Sequence, residues 1–168
     1  VIGPASAIND AAAATLAEHR LGAGRGHQNF AYVTVSTGVG GGLILNDRLH
    51  QSPNGLAGHV GFTSGAGGQR QCGSGRIGTV ESAASGWAIA AAAKALGHEE
   101  MDARAIFSQA DVGAQWAENL IDASAHAISE LSGDIAAMLG ATRIALGGSI
   151  GLADGYLDRA REHQAGLP

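Results

Sequence analysis

The stretch Thr34-Val-Ser-Thr-Gly-Val-Gly-Gly-Gly42 decides how the rest of this sequence is interpreted. The β-branched and aromatic residues 30–36 predict a strand, and the glycines that follow predict a turn over residues 38–42. Backbone N–H groups in such a turn are free to converge on a phosphate, and the hydroxyls of Ser36 and Thr37 can add donors. The alternative is a glycine-rich hairpin turn without a ligand, because glycine loops alone are weak evidence for a site.

Helices and strands are predicted on both sides of this stretch. Predicted helices cover residues 11–21, 80–96, 103–109 and 152–163, and apolar residues at helical spacing from Val112 to Met138 predict one long core helix. Further short strands are predicted at residues 43–45, after the Asn46-Asp47 turn, and at residues 143–146. Residues 51–78 show little periodicity and much glycine, which predicts a long loop of the kind that compact domains retain for function.

The composition of the chain excludes several classes of protein. With 168 residues and 45% hydrophobic content, the chain is long enough to bury a globular core. A net charge of -5 and only 10 lysines and arginines argue against nucleic acid as a partner. One cysteine excludes an internal disulfide framework, and no apolar run predicts a membrane span or a signal peptide. We therefore expect a cytoplasmic protein, and its first and last residues, Val1 and Pro168, predict a fragment.

Two other short motifs each have a ligand-binding and a structural interpretation. Leu146-Gly-Gly-Ser-Ile-Gly151 lies where a predicted strand meets a helix, which is where an α/β sheet offers its backbone to a nucleotide. A tight strand-to-helix turn is the alternative. Asp10 lies at the start of a helix, where it either caps backbone N–H groups or takes a proton from an attacking hydroxyl as a general base.

Five motifs resemble, in their order along the chain, the ROK family of sugar kinases. They are Ile8-Asn-Asp-Ala11, Ser36-Thr-Gly-Val-Gly-Gly-Gly42, Gly55-Leu-Ala-Gly-His-Val-Gly61, Cys72-Gly-Ser-Gly-Arg-Ile-Gly-Thr-Val-Glu81 and Gly147-Gly-Ser149. The resemblance covers essentially the whole chain. Within the family the sequence is most similar to bacterial N-acetylmannosamine kinases, which share its Val-Ser-Thr-Gly-Val-Gly-Gly-Gly wording and its Leu-Ala-Gly-His segment.

The resemblance implies an α/β fold of the actin-like ATPase and ribonuclease H-like class, of which residues 1–168 would form only the larger, C-terminal lobe. Residues 36–42 would be the glycine-rich phosphate loop, residues 62–79 a degenerate zinc loop and residues 147–149 the adenosine motif. The implied reaction is ATP-dependent phosphorylation of the 6-hydroxyl of an N-acylhexosamine such as N-acetylmannosamine, with ATP and Mg²⁺ as cofactors, in a homodimer. The family's first phosphate loop, Asp-x-Gly-Gly-Thr, does not occur in this sequence, so we expect the isolated chain to be inactive.

The resemblance also implies roles for individual residues. Asp10 would be the base for the sugar 6-hydroxyl, and the residues that contact the sugar or form the pocket rim would be Asn9, Asp10, Asn54, Gly55, His59 and Glu81. The ATP phosphates would face Ser36, Thr37, Gly38 and Gly40, and the adenosine would face Gly147, Gly148 and Ser149. Without the resemblance, each residue has a structural alternative. His59 would be a solvated loop histidine, and Glu81 would be a carboxylate that stabilises a helix N-terminus.

One part of the family pattern is missing. The family's zinc site, one histidine followed by Cys-x-Cys-x4-Cys, maps onto Phe62, Cys72, Ser74 and Thr79. Phenylalanine cannot ligate a metal, and neutral hydroxyls are poor substitutes for thiolates. We therefore predict no metal site and no zinc, with Cys72 as an ordinary free thiol. Loss of the metal should leave this loop mobile unless Phe62 and Ile77 pack together as an apolar substitute.

Two other functions remain open at this point. A sugar-sensing ROK transcriptional repressor would share the fold and add an upstream helix-turn-helix, although the intact glycine-rich loop argues against it. A non-catalytic remnant that serves sugar binding or oligomerisation would be stabilised thermally by sugar without any turnover.

Overall fold

A four-stranded sheet lies at the centre of the protein, whose computed structural model describes residues 8–65, 70–99 and 101–164. The strands are β1 (Phe30–Val35), β2 (Val39–Leu45), β3 (Arg48–Leu49) and β4 (Arg143–Gly147). Their order in the sheet is β3-β2-β1-β4, with β1 antiparallel to β2 and parallel to β4. The end of β1 and the end of β4 therefore lie side by side at one edge of the sheet.

Helices cover the sheet and complete the hydrophobic core. They are α1 (Asp10–Leu21), α2 (Val80–Ala84), α3 (Gly86–Ala95), α4 (Ala103–Asp111), α5 (Gln115–Leu139), α6 (Gly148–Gly151) and α7 (Tyr156–Gln164). Helix α1 packs on β2, and α5 packs against α2, α4 and α7. The buried strand residues Val33 and Val35 share one apolar core with Ile121 and Ile128 of α5. Across the described ranges, no helix combines the length and the apolar character that a membrane crossing needs.

Most predicted elements are confirmed, but the helix predicted over residues 80–96 is broken at Ser85. The Ser85 hydroxyl accepts a hydrogen bond from the N–H of Ala88 and so caps a new helix, α3. The first N–H groups of α3, those of Gly86 and Trp87, donate to the carbonyls of Ser36 and Thr37 instead of to the preceding turn. The helix predicted over residues 152–163 begins later, as α7 at Tyr156, and the short helix α6 precedes the predicted range.

The turn predicted over residues 38–42 is also wrong, because Gly40, Gly41 and Gly42 belong to β2. Alternate residues of a strand face opposite sides of the sheet, and these glycines use both faces. A Cβ at Gly42 would overlap Thr15 of α1, and a Cβ at Gly41 would lie 2.7 Å from the Val60 side chain. The glycines therefore allow a helix and a loop to approach the strand closely, and only residues 36–38 form the hairpin turn.

The predicted loop over residues 51–78 is confirmed in its described part. It contains one short 3-10 turn, Val60–Phe62, and two isolated β-bridges, Ser64 with Thr79 and Gln71 with Ile77. The bridge between Ser64 and Thr79 brings the end of this loop back to the residues that follow the 3-10 turn, next to α2.

Tyr156, at the start of α7, gives the fold a predictable response to alkaline pH. Its side chain is fully buried and its hydroxyl lies 2.8 Å from Ser124 Oγ, and burial raises the Tyr156 pKa far above its ordinary value of about 10. Above pH 10 the unfolded chain loses this proton while the folded chain keeps it, so the free energy of unfolding falls by about 1.4 kcal/mol per pH unit. We expect Tyr156→Phe to lower the free energy of unfolding by about 1 kcal/mol at pH 8. Between pH 10 and 11 the free energy of unfolding of this variant should fall less steeply than that of the wild type. Urea unfolding at pH 8, 10 and 11 measures this. Equal falls in the free energy of unfolding of the two proteins between pH 10 and 11 would contradict it.

Candidate active site

The hairpin turn of residues 36–38 is held rigidly at the N-terminus of α3. Gly86 N–H donates to the Ser36 carbonyl at 2.8 Å and Trp87 N–H donates to the Thr37 carbonyl at 3.3 Å. Within the described part of the chain, the N–H groups of Thr37 and Gly38 donate to no other group. The turn therefore offers two adjacent backbone donors, which is the arrangement that a phosphate oxygen requires.

A cleft of about 480 Å³ opens next to this turn. Its walls come from the turn, from the starts of α3 and α4, and from α6, and they include Ser36, Thr37, Trp87, Arg104, Phe107 and Ser149. The Ser36 and Ser149 hydroxyls lie 3.0 Å apart, which joins the predicted phosphate turn to the predicted adenosine motif. Aromatic walls beside a few polar groups are typical of a small-molecule site.

Gly147 and Gly148 have a structural reason to be glycine. A Cβ at Gly147 would overlap the Tyr32 hydroxyl, and a Cβ at Gly148 would overlap the Val35 carbonyl oxygen. Gly148 also has a φ of +87°, which side-chain-bearing residues rarely adopt. The geometry supports the tight strand-to-helix turn, and of Gly147, Gly148 and Ser149 only Ser149 lines the cleft.

Asp10 and Asn9 lie exposed at the start of α1. The sequence left open whether Asp10 caps this helix or acts as a base. Asn9 is the N-cap residue, since its Oδ1 accepts hydrogen bonds from the N–H groups of Ala11 and Ala12 at 2.9 and 3.4 Å. Asp10 is the first helical residue, and its Oδ1 accepts from Ala11 N–H at 2.8 Å. The exposed Asp10 carboxylate keeps a free oxygen, and the neighbouring Ala11 Cβ lies close to Gly40 of β2.

Glu81 connects the turn of residues 36–38 to the predicted zinc loop. Its Oε2 accepts a hydrogen bond from Val39 N–H at 3.1 Å, directly after the turn, and its Oε1 accepts from Gly73 N–H at 3.1 Å. Because both carboxylate oxygens have backbone donors, Glu81 is fixed in position. A Cβ at Gly38 would lie 2.8 Å from Glu81 Oε2, so glycine at this position lets the carboxylate approach.

The other residues predicted to contact a sugar lie on the loop before α2. His59 precedes the 3-10 turn, its ring centre is 5.4 Å from that of Phe62, and its buried Nδ1 has no hydrogen-bond partner among the described residues. The Asn54 side-chain oxygen accepts from Ser52 Oγ and Leu56 N–H, and Gly55 is exposed with a φ of +71°. No hydrogen bond joins His59 or Asn54 to Asp10 in the described part of the structure, so their place in one pocket stays a prediction.

The residues at the mapped zinc positions do not fit a tetrahedral metal. The Thr79 hydroxyl is fully buried in the capping box of α2, where it is bonded to Ser82. Cys72 Sγ lies 3.0 Å from Ser74 Oγ. Burial raises the pKa of the Cys72 thiol, but hydrogen bonds from the Ser74 and Thr79 hydroxyls and from backbone N–H groups outweigh this and lower it below its ordinary value. These polar groups satisfy one another, and Phe62 contributes no metal donor.

Sequence reasoning missed the cleft residues on α3 and α4. Trp87, Arg104 and Phe107 line the cleft, but periodicity placed Trp87 inside one continuous helix. The Ser85-Gly86 pair was the available signal, because a capping residue followed by glycine marks a helix start.

Comparison with known proteins identifies relatives over nearly all of the chain. The ROK family profile matches residues 3–165. N-acetylmannosamine kinase of Haemophilus influenzae is 41% identical over 165 residues, which are 98% of this chain and 55% of the relative. The chain thus spans about half the length of the curated relatives it matches.

Solved structures give the same result for the fold. A ROK hexokinase from Thermus thermophilus is 33% identical with a TM-score of 0.88, over 94% of this chain and 53% of that one. A ROK family glucokinase from Streptomyces griseus, in complex with glucose and AMPPNP, is 28% identical with a TM-score of 0.81, over 93% of this chain and 56% of that one. The predicted actin-like, ribonuclease H-like α/β fold is confirmed.

Proposed function

Because this chain belongs to the ROK family, we propose that it forms the larger lobe of a kinase that uses ATP to phosphorylate the 6-hydroxyl of an N-acylhexosamine. The identity of 41% to the N-acetylmannosamine kinase of Haemophilus influenzae supports the choice of an N-acylated sugar. ATP as the donor is supported by the AMPPNP bound to the glucokinase of Streptomyces griseus. The proposal includes a cytoplasmic homodimer as the working form.

The observation that carries the proposal is the hydrogen bond from Val39 N–H to Glu81. Glu81 is the residue assigned to the sugar, and Val39 directly follows the turn assigned to the phosphates. A fixed carboxylate between the two assigned sites would hold a sugar next to a phosphate chain, and phosphoryl transfer depends mainly on such positioning.

In this proposal the residues of the chain have separate roles. The free N–H groups of Thr37 and Gly38 bind phosphate oxygens, and the aromatic walls of the cleft, Trp87 and Phe107, accommodate the adenosine beside Ser149. Mg²⁺ bound with ATP would neutralise phosphate charge. Asp10 accepts the proton of the 6-hydroxyl as that oxygen attacks the γ-phosphorus, and the bond from this phosphorus to the β,γ-bridging oxygen breaks to release ADP. Asn9 keeps its side-chain N–H₂ group for a sugar hydroxyl, because its oxygen caps α1.

A sugar panel tests the proposed function. Protein that contains this segment together with a first phosphate-binding lobe is assayed for ADP release with N-acetylmannosamine, N-acetylglucosamine, mannose and glucose. We expect turnover of about 1 to 100 per second with an N-acylhexosamine, and a product phosphorylated at O6 by NMR. Turnover confined to unacylated sugars would contradict the substrate class.

The 168 residues alone serve as the control in this assay. They contain one proposed phosphate-binding turn but no Asp-x-Gly-Gly-Thr loop. One phosphate-binding segment without the other provides little of the positioning and charge stabilisation on which the reaction depends. We expect no sugar-dependent ADP release above background from these residues. Ordinary kinase turnover from them would show that one phosphate-binding turn is sufficient.

A further inference from the structure

Arg76 joins two parts of the loop that lie far apart in sequence. Its Nη1 donates to the Phe62 carbonyl at 2.8 Å and its Nη2 donates to the Ser64 hydroxyl at 3.1 Å. Its own carbonyl accepts from Cys72 N–H at 2.8 Å. One arginine therefore links the residues at the first two mapped zinc positions, Phe62 and Cys72.

The structure does not support the alternative in which Phe62 and Ile77 pack together as an apolar substitute for the metal. Ile77 is 65% exposed, and neither Ile77 nor Phe62 belongs to the apolar core. The base of the loop is closed by backbone bonds instead, from Gly65 N–H to the Gly78 carbonyl at 2.9 Å and from Val80 N–H to the Thr63 carbonyl at 3.0 Å. Arg76 lies directly beyond these bonds and is the one cation that spans them within the described residues.

The same loop carries the donor that holds Glu81. Gly73 lies between Cys72 and Arg76, and its N–H donates to Glu81 Oε1 at 3.1 Å. If the loop moved away from Phe62, this bond would break, and Glu81 would keep only its bond to Val39 N–H. The position of Glu81 thus depends on whatever holds the loop closed.

We propose that Arg76 is a positioning residue that does without metal what a bound ion would do, closing the loop on Phe62 and Ser64 so that Gly73 holds Glu81. A guanidinium suits this task because its planar fork carries several donors in fixed directions and stays charged at every physiological pH. The carbonyl and the hydroxyl it meets are both neutral acceptors, so the bonds are charge-assisted and need no buried ion pair. Only the role of Glu81 toward a sugar rests on the proposed function.

Amide hydrogen exchange tests the proposal on the chain itself. NMR measures exchange at Gly65, Gly73 and Val80 in the wild type, in Arg76→Gln, in Arg76→Lys, and in Arg48→Gln as a charge-matched control on the exposed strand β3. In Arg76→Gln we expect about fivefold faster exchange at all three amides, because the hydrogen bonds that are lost are exposed and each contributes modestly. Lysine presents one compact ammonium and cannot bridge both acceptors, so exchange in Arg76→Lys should be intermediate between that in the wild type and that in Arg76→Gln. Arg48→Gln should match the wild type.

Other outcomes overturn the proposal. Unchanged exchange at Gly65 and Val80 in Arg76→Gln would show that the loop closes without Arg76. Equal acceleration at the core amide of Val33 would show general destabilisation instead of local positioning. Exchange in the wild type should also be the same with and without EDTA, and acceleration by EDTA would show that a metal ion closes the loop. These measurements require neither sugar nor turnover, so they remain informative if the proposed kinase activity fails.

Discussion

Asp10→Asn is expected to lower the turnover of sugar phosphorylation by about 10²- to 10⁴-fold, the usual contribution of a general base. The measurement uses protein that contains this segment together with its first phosphate-binding lobe. The asparagine has the same shape and keeps an oxygen that accepts the hydrogen bond from Ala11 N–H, so the first turn of α1 should be unchanged. A side chain of the same size also remains beside the proposed sugar site. What disappears is the group that, in the proposed function, takes the proton from the 6-hydroxyl. We therefore expect sugar affinity, from calorimetry, to change by less than about threefold.

Asp154→Asn is a suitable control for this experiment. Asp154 is an exposed carboxylate between α6 and α7 that makes no hydrogen bond among the described residues, so its removal changes the net charge equally. Turnover should be unchanged in this variant. Loss of sugar binding in Asp10→Asn, with normal turnover of each bound sugar, would instead show that Asp10 contributes to sugar binding and not to proton transfer.

Gly148→Ala is expected to lower the free energy of unfolding by about 3 kcal/mol. Two costs combine at this position. Gly148 has a φ of +87°, which costs an L-residue roughly 1 to 2 kcal/mol. The new Cβ would also overlap the Val35 carbonyl oxygen and approach Thr34 Oγ1 to 2.7 Å, and backbone at the end of β1 cannot move without disturbing the sheet. Urea unfolding followed by circular dichroism measures the loss.

Gly155→Ala separates these two costs. Gly155 has a φ of +74°, but a Cβ placed there meets nothing within 4 Å. This variant should therefore lose only the conformational part, about 1 kcal/mol. Equal losses in the two variants would show that the close approach of Gly148 to Val35 costs nothing and that the strand-to-helix turn can relax around a side chain.

The residues assigned to chemistry were predictable because the sequence shows them in linear motifs. Asp10, Glu81 and the Ser36-Thr37-Gly38 turn all lie in such motifs, and the order of the motifs along the chain indicates the family. Strands β1 and β4 and helix α5 were equally predictable, because long or strongly patterned apolar segments show their periodicity locally. The failed zinc pattern was also visible, since it depends only on which residue types occupy Phe62, Ser74 and Thr79.

The sequence by itself thus determined the family, the α/β class and the candidate residues for catalysis, all of which depend on local order along the chain. Only the tertiary structure decided which groups satisfy one another. The glycines of β2 pack against α1 and the loop instead of forming a turn, because a missing side chain matters only when a neighbour approaches. Helix α3 begins at Gly86 because its N–H groups find the carbonyls of Ser36 and Thr37, which lie far earlier in the chain, and no local pattern encodes such a pairing.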